Sequence, residues 1–474
     1  MQAAATPSEH PFVPPPGGEL GGHPRGLYVL FGTEMWERLS FYGMRALLVL
    51  YMTKYLLVDG RADHVVGLRA LQAGIEATFT ALGVTALSKL TAQQLSSQIY
   101  GLYTGLVYLT PVAGGMLADR VLGQRKTVLL GGIIMALGHF LMAFEDLFLL
   151  ALLTLIIGNG CFKPNISTQV GGLYAPDDSR RDRAFNIFYV GINVGAMLAP
   201  YICGTLGQSY GWHYGFTAAG VGMCFGLGLY IWGQRYLPPE APIQTKAQRL
   251  ASGGNAKLTP EERAAVFALM ALCALNIVFW GVYEQQGNTL QLWADQQTNW
   301  PSIGSWTVPS TWYQSFNPLL IVAMTPLITL LWARQSKSGT EPSPIAKMAI
   351  GCFLLGASFL LMVAAANVVG EGRGSLLWLF GTTVVFTVGE LYLSPVGLSL
   401  VTRIAPVRMV SMLMGMWLLS SFFGNYFSGL LGSFYEVMGK QTFFLTLCGL
   451  GLSAGAAMWA IQKPLERATG HQRA

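Results

Sequence analysis

Stretches of about 20 predominantly apolar residues recur along the whole of this 474-residue chain, and nothing else restricts its folding so tightly. Each is long enough to cross, as a helix, a hydrocarbon core about 30 Å thick. Only 11% of the residues are charged, against about 25% in an ordinary soluble domain. A spanning barrel would show short alternating segments instead, so the chain reads as an all-α membrane protein. Breaks at charge and Pro/Gly clusters divide it into twelve spans: 26–56, 96–118, 127–145, 147–172, 184–208, 214–236, 263–289, 310–334, 344–367, 375–402, 407–434 and 440–462.

The basic residues test that division. With twelve spans, 20 Lys and Arg fall on one side, in connectors such as "DRVLGQRK", "SRRDR" and "RIAPVR" and in the C-terminal tail. Six fall on the other side (Lys54, Arg61, Arg69, Lys89, Arg373 and Lys440), and Arg38, Arg45 and Lys163 lie inside spans. This asymmetry follows the positive-inside rule with both termini cytoplasmic, and an odd span count would scramble it. The formal charge of +6 therefore reflects orientation and implies no nucleic-acid partner.

Residues 1–24 are rich in Pro and Gly and read as a disordered tail rather than a signal peptide. Residues 25–236 and 263–462 form two six-helix units, joined by the polar cytoplasmic linker 237–262 and followed by a cytoplasmic tail, 463–474. The external segment 59–95 suggests a short helical excursion. The two units rhyme: "YLTPVAG" answers "AMTPLIT", and "GNGCFKP" answers "GELYLSP", each with a helix-breaking Pro. Interrupted helices at matching positions of two halves point to a central binding site. The six cysteines sit in apolar runs without metal-ligand spacing and read as buried packing residues.

The first span is the exception to all this apolarity. In "EMWERLSFYGMR" (34–45), Glu34, Glu37, Arg38, Phe41, Tyr42 and Arg45 share one helical face. Four central charges cost on the order of 10 kcal/mol on insertion scales, and the span's Leu, Ile, Val and Phe residues return roughly 5. The stripe must therefore face partners or a wet cavity. Lys163, Glu284 and Glu390, each inside another span, are the candidate partners. Seven membrane charges are a costly way merely to pin helices. Cationic and anionic regions in one cavity suit a zwitterion, and carboxylates with movable basic neighbours suit a proton carrier.

These residues carry a resemblance. "EMWERLSFYG" resembles the ExxERFxYYG signature of the proton-dependent oligopeptide transporter family, within the major facilitator superfamily. "GGMLADRVLGQRKTV" is similar to the family's segment after the second span, including the superfamily's D-R-x-x-G-x-R loop. "FNIFYVGINVGAM" (185–197) resembles its fifth-span signature, and "GNGCFKPNIS", "YEQQGNTL", "SFNPL" and "GELYLSPVGLS" resemble further segments. The resemblance implies a twelve-helix fold of two bundles, working as a monomer in a prokaryotic inner membrane, with alternating access and proton-driven import of di- and tripeptides. It assigns the peptide carboxylate to Arg45 and Lys163 with Tyr42 and Asn193 nearby, and the amine to Glu390 helped by Asn317. It makes Tyr108 and Trp417 side-chain pocket residues. Proton coupling falls to Glu34, Glu37 and Arg38 with Lys163, and to Glu284, which pairs with Arg45 as an external gate; a gating turn falls to Asp119 and Arg120. No cofactor or metal is implied.

The sequence departs from the pattern in several places. Leu39 stands where Phe is usual, Phe41 where the first Tyr is usual, and Gly101 where animal relatives carry a second-span His. The linker is too short for the two extra helices of many bacterial members, and the large external domain of animal relatives is lacking. The six histidines lie mostly in tails or at span ends and receive no role. Trp293, Trp300, Trp306 and Trp312 read as interfacial anchors. No nucleophile with its base is evident, which argues against an enzyme. Transport of nitrate or another small anion is the alternative reading.

Overall fold

The computed structural model describes residues 14–175, 177–240, 259–404 and 410–468. Most of the expected tail and linker, the last four residues of "RIAPVR" and residues 469–474 lie outside the described residues. The chain is built from helices: α1 (Arg25–Tyr51), α2 (Leu68–Ala81), α3 (Ala92–Leu117), α4 (Gln124–Leu141), α5 (Phe148–Gly172), α6 (Arg181–Ala199), α7 (Thr205–Tyr210) and α8 (Trp212–Gly233) precede the linker. α9 (Pro260–Tyr283), α10 (Thr289–Gln296), α11 (Phe316–Lys337), α12 (Pro344–Val369), α13 (Leu377–Ile404), α14 (Val410–Gly432) and α15 (Lys440–Ala468) follow it.

Among the described residues, nine helical stretches are long and apolar enough to cross a bilayer. α1 is not one of them, because its charged stripe lowers its hydropathy. Polarity is arranged for lipid. Ile133, Leu137, Leu153, Phe225, Leu327 and Leu330 are exposed on the outer faces, whereas Glu34, Glu37 and Arg38 are no more than 2% exposed. The stripe on α1 thus turns inward, as its insertion cost requires.

The packing repeats. α1 packs on α6 and α8 as α9 packs on α14 and α15; α4 packs on α5 and α8 as α12 packs on α13 and α15. α3 meets α5 as α11 meets α13. The two sets touch through α3 against α14 and α6 against α11. Glycine sets the first contact: a Cβ on Gly101 would lie 2.6 Å from the Gly429 Cα, so the two backbones meet there directly.

Several details differ from the sequence reading. The expected interruptions are absent: Pro111, Pro164, Pro326 and Pro395 all sit inside continuous helices. Neighbouring helices shield the carbonyl that Pro leaves unbonded, so the helix continues. The α-helix of the seventh span ends at Tyr283 and Glu284–Gly287 tightens into a 3₁₀ turn before α10, while the apolar stretch as a whole runs Glu262–Gln296. Cys224 is exposed on the lipid-facing side of α8, while the other five cysteines are buried. α2 supplies the helical excursion expected in 59–95.

Candidate binding and coupling site

The α1 stripe organises the inner end of the site. The Arg38 guanidinium grips the Glu37 carboxylate through Nε and Nη2 and stands 3.5 Å from Glu34 Oε1. It also lies 4.8 Å from the centre of the Phe41 ring, so the aromatic that replaces the usual Tyr serves as a platform for a cation. Asn159 of α5 donates its Nδ2 to Glu37 Oε1 at 3.3 Å. Both Glu34 oxygens are buried without a hydrogen-bond partner among the described residues. Lys163, one turn beyond Asn159, holds its Nζ 5.1 Å from the Tyr108 ring centre. Glu34, Glu37, Arg38 and Arg45 are the charges that act on it. Among the described residues it makes no ion pair within 4 Å.

A second cluster joins α1 to the other set of helices. Arg45 Nη2 donates to Glu284 Oε2, and its Nε donates to the Tyr100 hydroxyl at 2.9 Å. Tyr100 in turn donates to Glu284 Oε2 at 3.3 Å. The pair expected as a gate is thus in contact, with Tyr100 as a third member that the sequence reading missed. A tyrosine in an apolar run carries no insertion penalty that would mark it.

Glu390 of α13 is held by Asn317 of α11, whose Nδ2 donates to Glu390 Oε2 at 2.9 Å and to Thr387 Oγ1 at 3.1 Å. The Tyr283 hydroxyl donates to Asn317 Oδ1 at 3.4 Å, which fixes the orientation of that amide. Tyr42 lies within electrostatic reach of Arg38, Arg45, Glu284 and Glu390. Its ring centre lies 6.0 Å from the Arg38 guanidinium and 5.9 Å from that of Arg45.

The remaining expected residues sit further from this geometry. Asn193 is buried and donates to Tyr189 O on its own helix at 2.9 Å. Trp417 is buried, and its ring lies where a Cβ on Gly397 would come within 2.6 Å. Asp119 and Arg120 are exposed in the turn Ala118–Leu122 and make no hydrogen bond or ion pair among the described residues. Arg125 carries the contacts of that loop: its Nη2 donates to Leu237 O at 2.8 Å and to Pro238 O, and its backbone N–H donates to Glu240.

Among the described residues, the hydrogen bonds between the two sets of helices gather at one end. Gln93 Nε2 donates to Gly432 O at 2.9 Å, Ser97 Oγ to Asn288 Oδ1 at 3.0 Å, and Gln98 Nε2 to Ser433 Oγ at 2.9 Å. Gln208 Nε2 donates to Ser310 Oγ at 2.9 Å, and its Oε1 accepts from the Thr311 hydroxyl and N–H. Asp295 pairs with Lys54 and accepts from Ser310 at 2.9 Å. Of the tryptophans expected as interfacial anchors, Trp312 and Trp306 bond across the two sets, whereas Trp300 donates its Nε1 to Ala294 O at 2.6 Å within its own set. Trp312 Nε1 donates to Thr205 Oγ1 at 2.8 Å, and Trp306 Nε1 to Ser209 Oγ at 3.4 Å. Trp293 is buried against Phe444.

A multi-pass helical membrane protein, with charged poles buried between two sets of helices, is the class that this architecture defines. Comparison with known proteins gives the family. The profile described as "POT family" matches residues 125–255 and 240–445. The chain is 34% identical to the di-/tripeptide transporter of Lactococcus lactis subsp. cremoris, over 95% of this chain and 98% of that protein. It is 32% identical to a peptide transporter of Yersinia enterocolitica, over 88% and 89%. A crystal structure of a POT peptide transporter with sulfate matches at a TM-score of 0.82 and 30% identity, covering 97% of this chain and 98% of that one. A mutant in complex with alafosfalin matches equally well, at 0.82 and 30% identity, covering 96% and 97%. The chain belongs to the POT family.

Proposed function

We propose that the protein is a proton-coupled symporter importing di- and tripeptides across a prokaryotic inner membrane. It works as a monomer of twelve spanning helices with cytoplasmic termini, the units 25–236 and 263–462 being joined by 237–262. The observation that carries this reading is the pair of opposite poles on opposite units. Arg45 and Lys163, with Tyr42 and Asn193 nearby, receive the peptide carboxylate. Glu390, steadied by Asn317, receives the amine, and Tyr108 and Trp417 line side-chain pockets. A peptide bridging the poles ties the units together, so binding biases the equilibrium between outward- and inward-facing states.

By the distribution of basic residues, the hydrogen-bonded end is the external one, and this conformation is closed to the outside. Arg45 and Glu284 form its gate, and the turn bearing Asp119 and Arg120 works at the cytoplasmic end. Protons enter through Glu34, Glu37 and Glu284, whose pairing with Arg38, Lys163 and Arg45 changes through the cycle. The deciding experiment is uptake into proteoliposomes under an inward proton gradient, with a dipeptide and nitrate measured side by side. Accumulation of the dipeptide alone is expected. Accumulation of nitrate alone would replace this reading with anion transport.

A further inference from the structure

Asn159 is a positioning residue for the coupling carboxylate: we infer that its side-chain amide holds Glu37 and follows it through the proton cycle. The inference rests on the reading of Glu37 as a coupling group. Asn159 is fully buried, and its Nδ2 donates to Glu37 Oε1 at 3.3 Å. Its Oδ1 is buried and has no partner among the described residues. An orphaned amide oxygen in a membrane interior is costly, and it is retained here beside a carboxyl group.

The local sequence explains the aim of the side chain. A Cβ on Gly158 would lie 2.8 Å from Gly131 O, and one on Gly160 would lie 2.6 Å from the Thr110 Cβ. The two glycines let α4 and α3 close on α5 from either side. That clamp fixes the backbone of Asn159, whose side chain meets α1. Lys163, four residues on, shares the same helical face.

An amide suits this position because it has a donor and an acceptor and does not titrate. The donor serves Glu37 when it is ionised, through the Nδ2-to-Oε1 contact in the structure. The acceptor serves Glu37 once it carries a proton and must itself donate. The charged and titratable groups acting on the pair are Glu34 and Arg38 of α1, Lys163 of α5 and Tyr103 of α3. Asn159 is the neutral member of this cluster: it can bond either protonation state without adding a charge, and its bond to the ionised form is the stronger.

The test uses the full-length protein in proteoliposomes, with Asn159→Leu and Asn159→Asp each made alone and in a Glu37→Gln background. Losing a hydrogen bond to a charged group moves the midpoint of proton-driven dipeptide uptake upward by roughly one pH unit in Asn159→Leu. Asn159→Asp keeps the shape but replaces the amide donor with a second carboxyl group, whose negative charge disfavours ionised Glu37, so the midpoint moves in the same direction; this variant serves if the Leu variant does not fold. Downhill counterflow stays within about twofold, and in the Glu37→Gln background neither substitution changes it further. An unmoved pH profile, or a further fall in counterflow once Glu37 is gone, would assign Asn159 to packing and overturn the inference. Unchanged proton-driven uptake in Glu37→Gln alone would instead remove the underlying reading of Glu37, and the inference with it.

Discussion

Glu284→Gln isolates the charge in the Arg45–Glu284 pair proposed as the external gate. In the closed form Arg45 is 12% exposed and Glu284 2% exposed, so their attraction is little screened by water. Glutamine keeps the shape and an acceptor oxygen but leaves the Arg45 cation without its anion. Breaking a buried pair costs about 3–5 kcal/mol, and the retained acceptor reduces this to about 2–3 kcal/mol. When the outer end opens, both groups meet water, so nearly all of the cost falls on the closed form. The open fraction should then rise roughly 30- to 150-fold until it saturates. A cysteine at Ser97, which is fully buried and bonded to Asn288, reports the opening. Labelling of Ser97→Cys from outside by a membrane-impermeant maleimide should accelerate at least tenfold when Glu284→Gln is added. An unchanged rate in a folded protein would refute the assignment of closure energy to this pair.

Two further perturbations follow from the same geometry. Gly101→Ala puts a methyl against the Gly429 backbone, 2.6 Å from its Cα, and overpacking of about 1–3 kcal/mol should weigh on the closed form alone. Faster labelling at Ser97→Cys is expected, and no change would mean that α3 and α14 yield at no cost. Glu390→Ala leaves a peptide amine unpaired in a low-dielectric site and should weaken dipeptide binding by at least a few kcal/mol. N-acetylated dipeptides should lose affinity in the wild type and much less in this variant; equal losses, read by competition for uptake, would show that Glu390 does not meet the amine.

The charged parts of this architecture were legible in the sequence because charge in an apolar run is expensive and periodic. Glu34, Glu37, Arg38 and Arg45 declared a shared face, and the structure buries that face among partners. Asn159, Tyr100 and Gln208 gave no such signal. A neutral amide or phenol costs little to insert, and each takes its meaning from a residue on another helix. The prolines misled for a related reason: helix-breaking is a rule for water, and at Pro164 and Pro395 the neighbouring helices replace the solvent that would otherwise end the helix. Trp293 misled because aromatic residues near span ends suggest the interface, whereas here the ring lies in α10, beyond the 3₁₀ turn, and is buried against Phe444. The substitution of Gly101 for a histidine was visible as a departure. Its use, the direct backbone contact with Gly429, was not.

The most direct measurement of the central claim is proton movement itself. With the protein in liposomes that enclose a pH-sensitive dye, external addition of a dipeptide should acidify the interior, and an uncoupler should abolish its accumulation. The account predicts acidification that depends on the peptide and disappears in Glu37→Gln. Peptide accumulation that follows a sodium gradient, with no change in internal pH, would contradict it.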